Sequence, residues 1–177
     1  LPVASFAQNP RLDSLLNVLK SMPEDTSKIN TLNELCRAYL FETNDNSKSL
    51  AYIDQQLTLS KKLNFKKGLA FGYTNMAILY TNKGDYKIAL EYNQLSLKLM
   101  QEIGHKKGES SCYINMGQNH SNLGNYTNAI SYMLQGVKIK EEIDDKRGVA
   151  VGYGNIGSIF VVQEKYDEAL KYYLRSL

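Results

Sequence analysis

Residues 67–92 read KGLAFGYTNMAILYTNKGDYKIALEY, and the pattern returns at 107–132 as KGESSCYINMGQNHSNLGNYTNAISY and at 147–172 as RGVAVGYGNIGSIFVVQEKYDEALKY. The offset is 40 residues each time, and it aligns Tyr73 with Tyr113 and Tyr153, Asn75 with Asn115 and Asn155, Ala89 with Ala129 and Ala169, and Tyr92 with Tyr132 and Tyr172. A fixed period between about 20 and 50 residues marks a solenoid of stacked copies of one supersecondary unit. Such arrays usually bind; they rarely catalyse.

Within the copy at 67–106, Leu69, Tyr73, Met76, Ala77 and Tyr80 recur at spacings of three and four, which predicts a helix from about Lys67 to Lys83 with one apolar face. Gly84 can take the left-handed conformation that closes a helix, and Asp85 is expected to cap the next by accepting a backbone hydrogen bond. That second helix, from about Tyr86 to Ile103, buries Ala89, Leu90, Tyr92, Leu97 and Met100. The small Ala77 and Ala89 let the two helices approach closely.

The expected organisation is one array over 26–177, divided at about 26–66, 67–106, 107–146 and 147–177. The first copy is degenerate: Asn44-Asp45-Asn46 replaces the Gly-Asp-Tyr turn, while Leu50 and Tyr52 keep the register. Ahead of it, Asn9-Pro10 is a helix-start signature for a capping helix at 9–22, apolar through Leu12, Leu15, Leu16 and Leu19, and Pro23-Glu24-Asp25-Thr26 starts the next. At 1–8, Ser5-Phe6-Ala7 looks like the small-x-small end of a secretory signal peptide; the alternative is a short apolar strap on the first helix.

With 21 basic against 18 acidic side chains, a net charge of +3 is too balanced for a phosphate-binding surface, and no basic run interleaves with aromatics. Nucleic acid is therefore not an expected partner, and a membrane partner could come only through regions outside this sequence. Cys36 and Cys112 fall at different repeat offsets and read as buried small side chains rather than a disulfide or metal pair. His105 lies in a linker and His120 takes the core offset of Tyr80 and Phe160, so neither pairs with a cysteine or carboxylate at ligand or catalytic spacing. Gly152-Tyr153-Gly154, with Gly157 beyond, imitates a dinucleotide fingerprint but sits inside an expected helix with no strand before it. No enzyme activity, cofactor or metal is expected.

The chain resembles the tetratricopeptide repeat family. Tyr73, Met76, Ala77, Tyr80, Gly84, Tyr86 and Ala89 stand where that family places its bulky aromatic, large apolar, small, aromatic, turn and small residues; Glu164 departs at the turn and Arg37 at a small position. The unit is 40 residues rather than the usual ~34, which is similar to the long-repeat branch that includes cell-cortex scaffolds and bacterial regulators. The resemblance implies an all-α, right-handed superhelical array. It also implies that Asn75, Asn115 and Asn155 face a concave groove, where asparagines in related proteins hold the backbone of an extended peptide; Asn82 and Asn122 could extend that ladder. A carboxamide both donates and accepts, so it can read a peptide unit whatever its side chain. The alternative for these residues is to bond neighbouring helices and fix the stacking. The first copy has Leu35 at this offset.

Pro23-Glu24-Asp25-Thr26-x-Lys28, with Leu32, Leu35 and Tyr39, looks like the start of repeat arrays in Bacteroidetes-type signalling proteins, where exported repeats precede a histidine kinase or DNA-binding output domain. The expected function is thus a protein-interaction module that binds a peptide or protein segment, as the sensor part of an exported signalling protein. The alternative is an assembly scaffold, with a homodimer formed through the apolar last helix carrying Tyr172, Tyr173, Leu174 and Leu177. Most tyrosines sit at core offsets and are expected to pack. The paired bases at Lys66-Lys67, Lys106-Lys107 and Lys146-Arg147 read as a solvated ridge, with an acidic partner as the alternative.

Overall fold

The computed structural model describes residues 9–177, and these hold nine helices with no strand among them. The signal-peptide reading of 1–8 lies outside the described residues. The chain forms two compact units that divide in sequence between Asn75 and Met76.

The repeat is finer than its 40-residue period suggests. Asn44, Asn64, Gly84, Gly104, Gly124, Asp144 and Glu164 all have positive φ, between 50° and 81°, and they follow one another every 20 residues. Each closes one helix so that the next can fold back, which makes the 40-residue repeat two helix-turn units of equal length. A left-handed residue is tolerated best as glycine and next best as asparagine or aspartate, which accounts for every type in this series except Glu164.

Unit 1 holds α1 (Pro10–Ser21), α2 (Thr26–Phe41), α3 (Asn46–Lys62) and α4 (Lys66–Lys83) as far as Asn75. Asn9 caps α1, its Oδ1 accepting from the Arg11 and Leu12 amides at 3.2 and 3.3 Å, and Asp25 caps α2 in the same way. The apolar stripe of α1, Leu12 with Leu15, Leu16 and Leu19, lies on Leu35, Ala38 and Tyr39 of α2 and Tyr52 of α3. The Tyr39 and Tyr52 rings stack at 5.5 Å.

Unit 2 holds the rest of α4 together with α5 (Tyr86–Glu102), α6 (Lys106–Asn122), α7 (Tyr126–Glu142), α8 (Lys146–Val162) and α9 (Tyr166–Arg175). Its core gathers Ala129, Met133, Ile156 and Ile159, with Ile114, Tyr153 and Phe160 packed around them. Close approach depends on small residues: a Cβ on Gly117 would lie 2.5 Å from Met133 Cγ, and one on Gly152 2.3 Å from Val137 Cγ2. Gly152 and Gly157 therefore serve helix packing rather than phosphate binding. The tyrosines pair in repeating stacks, Tyr80 with Tyr92, Tyr113 with Tyr132 and Tyr153 with Tyr172.

One expected cap is absent. Asp85 occupies the N-cap position of α5 but its side chain accepts no cap hydrogen bond, and the exposed start of α5 leaves those amides to solvent. Caps form instead at Asp45, His105 and Asp145, which accept from the amides of Lys48, Gly108 and Gly148 at 2.9 Å each. His105, read from sequence as a plain linker residue, is thus the N-cap of α6.

Candidate functional site

The five asparagines expected to line a groove have different surroundings. Asn75 is enclosed, with 1% of its surface exposed. Its Nδ2 donates to Asn33 Oδ1 at 2.9 Å and to Gln56 Oε1 at 3.2 Å, and the buried Gln56 donates in turn to the Gly68 carbonyl at 3.1 Å. This network ties α2, α3 and α4 together inside unit 1, so Asn75 fixes helix stacking and does not present its carboxamide on a surface as expected. The repeat register explains the difference. Gln56 is replaced at the next two copies by Ser96 and Gly136, and Asn33 by Tyr73 and Tyr113, so the partners of Asn75 are missing for Asn115 and Asn155.

Asn115 and Asn155, both in unit 2, are half-buried, and neither has a hydrogen-bond partner among the described residues. Asn115 lines a groove of about 320 Å³ between α6 and α8, with Ser111, Ile114, Lys140, Arg147 and Val151. Asn155 lines a second, also of about 320 Å³, with Gln118, Ser121, Asn122, Ser158 and Val162. There Asn122 Oδ1 accepts from Gln118 Nε2 at 3.0 Å, whereas Asn82 is exposed and borders neither groove. The unit therefore brings together Asn115, Asn155 and Asn122 on α6 and α8, and leaves Asn75 and Asn82 apart from them.

Two groove residues had not been singled out in the sequence. Lys140 Nζ meets Asp145 Oδ2 at 2.9 Å while Asp145 Oδ1 caps Gly148, and the ammonium of Lys140, then the Gly148 amide, hold the Asp145 carboxyl below its usual range. Only 15% of the Lys140 side chain is exposed. Arg147, on the same groove, has no ionic or hydrogen-bond partner among the described residues. The signal was available in the period, because the matching positions carry Ser60 with Phe65 and Met100 with His105.

The remaining candidates are structural. Cys36 and Cys112 are free and buried, as expected, and burial pushes the Cys36 thiol up to about 12, which makes it inert as a nucleophile. His120 is half-buried and stacks on Tyr132 at 5.2 Å.

Paired helices repeating at 40 residues, with small residues at the crossings and polar side chains on one face of the first helices, define an α-helical repeat protein of the interaction type. The tetratricopeptide repeat pattern matches residues 68–142 and again 110–177, well over half of the sequence, and the chain belongs to the tetratricopeptide repeat family. No curated protein matches it. Among solved structures it is similar to BtubC from P. vanneervenii, 18% identical with a TM-score of 0.81, over 97% of this chain and 73% of that one. It is also similar to a signal transduction ATPase with a tetratricopeptide repeat sensor from Pyrococcus horikoshii, 20% identical with a TM-score of 0.79, over 93% of this chain. A third is a Rap protein in complex with competence and sporulation factor, 20% identical with a TM-score of 0.84, again over 93% of this chain. The chain spans 26% of the ATPase and 47% of the Rap protein. These likenesses show the fold, that of tetratricopeptide solenoids, whose repeats typically serve as non-catalytic protein-interaction scaffolds.

Proposed function

We propose that the chain is a non-catalytic module whose second unit takes an extended peptide or protein segment across α6 and α8. The observation that carries this reading is the pair of half-exposed, partnerless carboxamides at Asn115 and Asn155, each in its own groove. A buried polar group without a partner is unfavourable, whereas a half-exposed one is satisfied by solvent and can exchange it for a peptide N–H and C=O at little loss. Ile114 and Val151 supply apolar contact beside them. Selection of phage-displayed random 12-residue peptides on the immobilised chain tests the reading. Binders that lose affinity with Asn115→Ala and Asn155→Ala support it; binders indifferent to both changes, or none at all, count against it.

The setting we infer is the sensor part of a larger, exported signalling protein. The ATPase whose printed description gives its repeats a sensor role, and the Rap protein with its bound factor, support a sensory use of this fold. A second reading, an assembly scaffold, draws on the exposed apolar residues Tyr166, Leu170 and Leu174 of α9. Light scattering at rising concentration separates the two, since a homodimer formed there would double the mass and a monomeric sensor unit would not.

A further inference from the structure

The three equivalent linkers of the chain interlock in the same way but with different chemistry. A Cβ on Gly68 would strike Ser60 and Phe65, one on Gly108 would strike Met100 and His105, and one on Gly148 would strike Lys140 and Asp145. Glycine therefore brings the same two side chains against the start of the helix each time. Ser60 is fully buried and Met100 nearly so, yet the last linker places an ammonium there. Withdrawing a lysine from solvent where methionine fits is unfavourable unless its partners compensate, and one carboxylate serves here. Asp145 is acted on by Lys140 and, through space, by Lys107, while Arg147 lies on the same groove with no counter-charge. Three cationic groups thus surround a single carboxylate that is already committed to Lys140 and to the cap of α8. Lys140 has three N–H donors and spends one on Asp145.

We propose that Lys140, Arg147 and Asn115 form a subsite for the carboxylate side chain of an acidic residue in the bound segment. The inference rests on the groove reading above and adds to it a chemical preference. Arg147 supplies a planar two-donor fork, Lys140 a fixed charge oriented by Asp145, and the Asn115 amide a neutral donor beside them. Lys140 and Asp145 act as a pair: the carboxylate of the chain orients the ammonium without neutralising the surplus charge of Lys107 and Arg147.

The test uses fluorescein-labelled peptides from the random-library selection, synthesised with Asp or Glu and with the isosteric Asn or Gln, and titrated by fluorescence anisotropy. The subsite predicts that acidic residues are enriched at one peptide position and that the amide form binds about tenfold more weakly or worse. Two variants locate the effect. Arg147→Glu should reverse the preference toward Lys or Arg at that position. The double change Lys140→Met with Asp145→His installs the pair the chain already uses at Met100 and His105, so the linker should still fold, as circular dichroism checks, while the preference for acid disappears. Peptides bound with no acidic preference, or a preference unchanged in both variants, would overturn the subsite and leave the groove reading standing if Asn115→Ala still weakens them. Binding indifferent to Asn115 and Asn155, or the absence of binders, would overturn both.

Discussion

Asn75, Asn115 and Asn155 share a register position but not an environment, and their substitutions should separate accordingly. Asn75→Ala leaves Gln56 and Asn33 without the donor that joins them, so it should lower stability by about 1–3 kcal/mol in urea denaturation. Asn115→Ala removes no internal bond and should stay within about 0.5 kcal/mol of the parent while weakening peptide binding. A third asparagine gives the opposite result. Asn93 is fully buried in unit 2, and neither its Nδ2 nor its Oδ1 has a partner among the described residues, at an offset where the chain elsewhere places Ile53 and Met133. Asn93→Met should therefore raise the urea midpoint, by about 1–3 kcal/mol in stability; a drop would mean that the carboxamide is satisfied in solution.

The element scale is set by the turns and caps. Glu164 is the one residue of the left-handed series that is neither glycine, asparagine nor aspartate, and it stands where Gly84 and Gly124 serve the same turn. Glu164→Gly should stabilise the α8–α9 hairpin by about 1 kcal/mol, seen as a higher melting temperature, because it relieves the Cβ crowding of that conformation. The cap of α8 should depend on pH. The Asp145 carboxyl is held below its ordinary range by Lys140 and the Gly148 amide, so its contribution is fully present above about pH 4, the unfolded value, and is lost as pH falls through the lower folded value. Melting curves of the parent and Asp145→Asn should differ by a constant amount from pH 5 to 7 and converge on acidification; a gap that widened in acid would contradict this assignment.

On the scale of the whole molecule, the period made the fold readable. The 40-residue recurrence, the capping signatures and the three-and-four spacing located the helix pairs because a solenoid repeats its local chemistry with its geometry. The 20-residue spacing of the turns was harder to see, since glycine, asparagine, aspartate and glutamate all serve there and only the backbone angle is shared. Site residues were legible in part. Register alone cannot say whether an asparagine is enclosed; that depended on Gln56 and Asn33, residues 19 and 42 positions earlier, whose replacement by Ser96, Gly136 and tyrosines opened the later copies. The Lys140–Asp145 pair was visible only as a departure from the repeat, and its burial had to come from the structure.

The central claim, that an extended segment lies across α6 and α8 in unit 2, is tested most directly by the side-chain amide signals of the asparagines in ¹⁵N-labelled protein during titration with a library-selected peptide. The account predicts that the carboxamide signals of Asn115 and Asn155 shift together and saturate with binding, while that of Asn75 does not move. Saturation of binding with Asn115 and Asn155 unmoved would place the ligand elsewhere and contradict it.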